Sequence, residues 1–423
     1  MDFNAEKFVD NLLSSEAYDE SSDPDKIEDM EFKLPDWFDE KKYNQGRRFY
    51  SDYAYMMTAS MISGLIVVLS IPSIITVLMD SRRSNSTYTA YKRYFSTYKH
   101  VTSWLEHELK PGSLSWRSLY TVRCRHVHVA RAVRMKGIGK VSQRDMAFTI
   151  YGFIGFVFLK PDKFTVKQLQ EGDWDAYNHF WKVFGHMIGM HDRYNPCQNT
   201  AEETRQVFQI LQDRVFTPCL TNVPEYFEHM SHVMLTGIKS ILSASEVSSV
   251  LYATKYLADV PGYIYTEQER IDFQRKLKKH QVNGSDEVPS NVLVQKCGID
   301  GICQTPPRMF NIRDYDRMED VPAYKQLPFI GKYKLALSTV MVALHDTYIG
   351  RLIINYYMKW SLFIASYIPY HALYTFGLKN VYVNIFKESP KDNTSPKPNS
   401  EYYKPQPPQP WYKVMLTFWS NLY

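Results

Sequence analysis

Residues 122–135 read VRCRHVHVARAVRM, a stretch free of glycine and proline that is followed by Gly137 and Gly139. These letters sustain a helix from about Ser115 to Met135, which the two glycines end. On that helix His126 and His128 lie about 200° apart, so they face opposite sides and cannot share one metal ion. Arg123, His126 and Ala130 form one stripe at i, i+3 and i+7, continued by Val133 and Arg134.

Outward from this stretch the helical pattern continues in both directions. Residues 86–109 read as an amphipathic helix, and Pro111–Gly112 breaks the chain before the next one. Downstream, Ser142 with Asp145 opens an apolar helix that runs to about Leu159 and stops at Pro161. Further helices are expected at 174–190, 200–214, 224–241, 246–257 and 266–279. Strand-type alternation is almost absent, so the expected fold class is all-α.

Residues 53–79 carry no charge over 27 positions, 19 of them apolar. Two readings fit: a transmembrane helix, or a buried helix pair kinked at Ser70–Pro72 whose Ser60, Ser63, Gly64 and Ser73 suit close packing. Residues 360–378 are a second charge-free run, with Pro369 and His371 inside it.

Composition bounds the rest. The 423 residues are 44% hydrophobic and 15% aromatic, enough for a sizeable core. Net charge is +5, too balanced to indicate nucleic acid. Residues 1–40 carry a net −11 and the remainder +16, which suits an anionic membrane face, an anionic cofactor or a plainly solvated positive surface. Five scattered cysteines give no disulfide framework and fit a reducing compartment. The first residues lack a basic head followed by an apolar run, so an intracellular location is expected.

The expected organisation is an acidic, poorly ordered leader (1–40), an all-α catalytic domain (41–280), an irregular connector (281–330), a C-terminal helical block (331–386) and a Pro-rich tail (387–423) that wraps or links. No Walker loop, HExxH, GxSxG or CxxC pair occurs, which removes support for several enzyme classes.

Three segments carry candidate chemistry. An inward neutral His126, a small Ala130 one turn on and arginines at the edges suit an anionic porphyrin, with the imidazole on iron and the arginines on carboxylates. A basic surface helix whose one inward histidine bonds a carbonyl fits the same letters. In AYKRYFSTYKH, Arg93, Ser96 and Thr97 share a face and form a polar donor cluster, able to hold a small ligand or simply to be solvated. In FWKVFGHMIGMHDRYN, Trp181, Gly185 and Gly189 make a smooth strip for close helix or cofactor approach. His179 with His186, and Glu228 with His232 beside His229, have spacings compatible with metal ligation and equally with capping.

RYFST at 93–97, VRCRH at 122–126, SQRDM at 142–146 and WKVFGHMIG at 181–189 together resemble the catalytic domain of the rubber oxygenases, or latex-clearing proteins, a family that includes endoplasmic-reticulum-bound oxygenases. The resemblance spans about residues 45–280. It implies a globin-like core holding haem b, with His126 as the axial iron ligand, Arg123 as the motif arginine, and Arg93 and Thr97 on the distal side. Ser96 stands where the family has Lys or Glu, and Ala130–Arg131 where it has an Arg–His pair. The implied activity is oxidative attack on a C=C bond of a lipophilic, isoprenoid-like substrate with dioxygen, at an intracellular membrane such as the endoplasmic reticulum. The alternatives are a haem- or lipid-binding protein without turnover, and a membrane-anchored structural protein.

Overall fold

The computed structural model describes residues 3–22, 27–239, 241, 246–279, 299 and 317–404. Much of the connector at 281–316 and the tail beyond 404 lie outside the described residues, as do two of the five cysteines, Cys297 and Cys303. The described residues contain no strand, only an isolated bridge between Ser21 and Ser142, so the all-α class is observed.

The helices are α1 (Ala5–Leu12), α2 (Ser15–Asp19), α3 (Glu40–Asp52), α4 (Ala54–Leu69), α5 (Pro72–Asp80), α6 (Thr87–Glu106) and α7 (Leu114–Met135). Then come α8 (Gln143–Leu159), α9 (Asp173–Met187), α10 (Ala201–Leu211), α11 (Thr217–Thr221), α12 (Phe227–Lys239), α13 (Val247–Leu257) and α14 (Glu267–Lys279). The C-terminal part adds α15 (Pro322–Lys325), α16 (Phe329–His345), α17 (Tyr348–Tyr367), α18 (Tyr370–Phe376) and α19 (Ser400–Tyr403).

Local chemistry sets the ends that matter for the site. Ser86 caps α6 reciprocally with Thr89, a capping box that satisfies two otherwise orphaned N–H groups. Ser113 accepts from Trp116 N at the start of α7. That helix stops where Gly137 turns to φ +67° and Ile138 N donates back to Val133 O, a left-handed cap only glycine adopts without strain. Ser142 accepts from Asp145 N to start α8, but Asp145 accepts from Ser73 instead of returning a bond to the cap.

Small residues bring the central helices into backbone contact. A Cβ placed on Gly64 of α4 would lie 1.9 Å from Gly152 O of α8, and one on Gly46 of α3 would lie 2.4 Å from Ala176 O of α9. Gly237 of α12 likewise sits against Tyr91 N of α6. The charge-free run 53–79 is therefore a helix pair broken before Pro72, with most of α4 inside the core and α5 half-buried apart from Ile75. No single described helix is long and apolar enough to cross a membrane; one bent pair, α3 with α4 at 92°, passes by length and composition together.

The leader corrects an expectation. Rather than poorly ordered, it folds as α1 and α2, with Ala5, Val9, Leu12 and Ala17 buried. Its acids find distant cations: Asp10 pairs with Arg214, Glu20 with Arg193, and Asp19 with Lys140. A local charge count misses these partners because they lie far along the chain.

The C-terminal block packs onto the core rather than standing apart. Asn355 of α17 accepts from Tyr55 N at 3.0 Å and donates to Asp52 O at 2.7 Å, fastening α17 across the α3–α4 corner.

Candidate functional site

A cavity of about 560 Å³ lies inside the shell formed by α4 to α9, within the ~300–1,000 Å³ that ligand pockets occupy. Its floor is apolar, from Leu65 and Val68 of α4, Ile74 and Val77 of α5, Met146 and Phe153 of α8, and Phe184 of α9. Two helices, α6 and α7, form much of the rest of the wall. From α6 come Arg93, Ser96, Thr97 and His100; from α7 come Val122, Arg125, His126, Val129, Val133 and Lys136.

The α7 set is a continuous stripe at i, i+3, i+4, i+7, i+11 and i+14, one step round from the stripe expected from sequence. His126 belongs to both. Arg123, Ala130 and Arg131 are not on the cavity wall: Arg123 donates to Glu31 O at 2.7 Å and Met187 O at 3.5 Å, Ala130 is buried behind the wall, and Arg131 is exposed. The arginine of α7 that faces the cavity is Arg125. His128 is exposed and touches the rim of the cavity, so the two histidines differ in depth rather than pointing wholly apart.

His126 is half-buried on this wall. Burial first, then the positive fields of Arg93, Arg123 and Arg125, push its pKa down to about 4. The imidazole is therefore neutral near pH 7, with a nitrogen lone pair available. Its Nδ1 is buried and has no hydrogen-bond partner among the described residues. An orphaned polar atom of this kind is costly unless something else occupies it.

Arg93 is the electrostatic counterpart. Burial lowers its pKa, and its one hydrogen bond among the described residues goes to Ser81 Oγ at 3.1 Å; no described carboxylate pairs with it. A cation enclosed without a carboxylate makes the cavity complementary to an anionic group. Ser96 presents a buried hydroxyl without a partner, while Thr97 donates to Arg93 O, the backbone bond that makes it a helix-internal group.

Among the polar wall residues missed from sequence, besides Arg125, are His100 and Asp145. His100 is buried, and its pKa is pushed down to about 3 by burial and then by Arg125. Arg125 donates to its Nε2 at 3.1 Å, so its Nδ1 donates to Ser118 Oγ at 2.6 Å, which also receives Trp104 Nε1. Asp145 lines the cavity with Oδ2 buried and unpartnered, and burial raises its pKa despite nearby Arg144. The available signal was an acid inside the first turn of an otherwise apolar helix.

Residues 381–392 cross the outside of α6 and α7 as an extended strap. Tyr91 Oη donates to Val381 O at 2.6 Å, Lys92 to Tyr382 O at 2.7 Å, and Lys99 to Val383 O at 3.2 Å. Arg125 then takes Ile385 O and Lys387 O at 2.7 and 2.8 Å, and Arg83 pairs with Glu388. The strap contributes Glu388, Ser389 and Lys391 to the cavity wall.

The remaining histidine pairs are structural. His179 Nε2 accepts from Asp39 N, and His186 Nδ1 meets Asp192, so both fasten loops to α9. His229 uses both nitrogens, on Tyr402 Oη and Asn85 O, and His232 bonds Glu228 O. No group of three His, Cys, Asp or Glu able to hold a metal ion occurs among the described residues. Gly185 serves a loop rather than a cofactor, since a Cβ there would meet Asn195 Nδ2 at 2.9 Å, and Gly189 ends its segment at φ +100°.

Comparison with known proteins agrees with the sequence motifs. A relative, the rubber oxygenase of Streptomyces sp. (strain K30), is 32% identical over 104 residues, which are 25% of this chain and 23% of that protein. The match thus spans about a quarter of the relative's length. The structure of latex clearing protein LCP in the closed state aligns with a TM-score of 0.42 at 18% identity, over 66% of this chain and 80% of that one. Residues 47–247, a little under half of the chain, match the family described as ER-bound oxygenase mpaB/B'/Rubber oxygenase, catalytic domain.

Proposed function

We propose that the protein is a haem b-dependent oxygenase that attacks a C=C bond of a lipophilic, isoprenoid-like substrate. The observation that supports it most is the pairing, on one apolar cavity, of a neutral His126 whose Nδ1 has no partner with an Arg93 that no described carboxylate neutralises. These residues fit the group: haem asks for one neutral imidazole, an apolar slot and cations for its carboxylates. A single histidine suffices because the macrocycle provides the other donors, which agrees with the lack of any three-ligand cluster among the described residues.

When bound, haem supplies a redox-active iron at which dioxygen is activated. The chain's residues do the rest. His126 offers its lone pair from a rigid helix. Arg93, Arg125 and Lys391 provide positive charge for carboxylates. The walls of α4, α5 and α8 hold an alkene by apolar contact and keep water out. Ser96 offers an unengaged hydroxyl, and Asp145, driven toward its neutral form by burial, can hold a proton at Oδ2. Location at an intracellular membrane, the endoplasmic reticulum, belongs to the same proposal; the family's description as ER-bound supports it.

One observation favours a second reading, a haem- or lipid-binding protein without turnover. Ser96 occupies the place of the family's Lys or Glu, and Thr97 beside it is engaged by its own backbone. Absorption spectra of the purified protein, with and without reductant, combined with oxygen uptake on a linear polyunsaturated isoprenoid, separate the two. A Soret band with substrate-dependent uptake is expected; a Soret band without uptake leaves the binding protein, and a colourless protein defeats both.

A further inference from the structure

The C-terminal block carries an apolar face that points away from the core. On α17, Ile349, Ile353, Tyr356, Trp360, Phe363 and Tyr367 recur at i, i+4, i+7, i+11, i+14 and i+18, and every one of them is exposed. Ile349 and Tyr356 are each 70% exposed, while Ile354, Asn355, Met358 and Ala365 on the other side are buried. The helix α18 extends the face with Tyr370 and Tyr374, the latter 95% exposed. An ordinary surface helix buries its apolar stripe; this one presents it outward.

We propose that this face docks the protein in the plane of an anionic phospholipid membrane, with α17 lying along the surface. Three observations select a bilayer over a second copy of the chain. First, residues 348–379, which carry the face, contain no acid, and their Lys359 and Lys379 are exposed, a balance complementary to anionic headgroups. Second, six tyrosines at 348, 356, 357, 367, 370 and 374 are exposed together with Trp360. Their hydroxyls need water or headgroup partners, which the membrane interface provides and a dry protein contact does not. Third, α17 is seated on the core by one side and carries its exposed apolar residues on the other, so contact in the plane of the surface is the mode its geometry offers.

The surface is mechanically joined to the cavity. On the outer side of α6, Tyr91 and Phe95 pack with Ala365 and Ala372, while the inner side of the same helix holds Arg93 and Ser96. A lipophilic substrate dissolved in the bilayer is thereby brought within one helix of the site. The inference rests on the membrane association proposed above, and not on the cofactor.

The test is flotation of the purified full-length protein with phosphatidylcholine–phosphatidylserine vesicles, with pure phosphatidylcholine vesicles beside them. The wild type should float with the anionic vesicles, less so as salt rises. An Ile353→Ser/Tyr356→Ser/Trp360→Ser variant should lose roughly ten-fold or more of the partitioning with an unchanged melting curve. Should that variant melt lower, Tyr367→Ser/Tyr374→Ser, at two mostly solvated rings, should still lose several-fold. If the variants float like the wild type, this face is not the docking surface although membrane association survives. Wild type that stays at the bottom with both vesicles defeats the association itself. A wild-type dimer that the triple variant converts to monomer assigns the face to a second copy and overturns the proposal.

Discussion

The runs 53–79 and 360–378 both lack a charged side chain, yet α4 of the first is largely buried in the core and the second lies mostly on the outside. The first is punctuated by Ser60, Ser63 and Gly64, and that strip closes on α8 until Gly64 meets Gly152 O; Leu65 and Val68 floor the cavity. The second has tyrosines and a tryptophan where the first has small residues, and its apolar stripe faces solvent. Absence of charge alone does not separate inside from outside. Small residues mark where backbones approach, whereas amphipathic rings mark a boundary between apolar and wet surroundings.

The largest test of this contrast concerns what the inner run encloses. If it walls a haem site, His126→Ala abolishes the Soret band of the purified protein, while His128→Ala, at the exposed rim, keeps it. Equal loss in both would remove the distinction between wall and rim. A packing test comes next. Gly64→Val forces a side chain onto Gly152 O and should cost about 3 kcal/mol or more in denaturant unfolding. Tyr374→Ser, on the outer face, should stay within about 0.5 kcal/mol. Comparable losses would mean that the two runs are packed alike.

A smaller effect is expected at Arg93. Replacing it with alanine removes a charge-assisted bond to a carboxylate, about 1.5–3 kcal/mol, so haem affinity measured by titration should fall roughly ten- to hundred-fold. The cofactor-free protein should melt no lower, because among the described residues no carboxylate loses a partner. A clear drop in its melting temperature would assign Arg93 a structural role instead.

Much of the architecture was legible because it is local. Caps such as Ser86, Ser113 and Ser142, and the stop at Gly137, act within a few residues and fix helix ends close to where the sequence places them. His126 was legible too, as the one histidine that both adjacent stripes of α7 share. The stripe itself was read one step off. Arginine side chains reach far from their Cα, so a helical wheel cannot tell Arg123, tied to Glu31 O, from Arg125, tied to Ile385 O some 260 positions away. The same reason hid the order of the leader, whose acids pair with Arg193 and Arg214. Asp145 was read as a cap because its second partner, Ser73, comes from another helix.

The finest distinction is between a histidine on the cavity wall, His126 of α7, and one in the outer run, His371. Burial lowers the pKa of both His126 and His371, His126 to about 4, and each has a buried Nδ1 without a partner among the described residues. Each is neutral when folded and protonates more readily when unfolded, near pH 6.5, so the unfolded chain binds more protons as pH falls. Their contribution to stability is complete above about pH 6.5 and is lost as pH drops toward the folded value. Urea midpoints of the cofactor-free protein should therefore fall between neutral pH and pH about 4.5, and His126→Gln should flatten that fall. His371→Gln should flatten it less, because the arginines Arg93, Arg123 and Arg125 act on His126, whereas Lys239 is the cation acting on His371. If the two variants flatten the curve equally, the positive field of the cavity is not what sets the inner histidine apart.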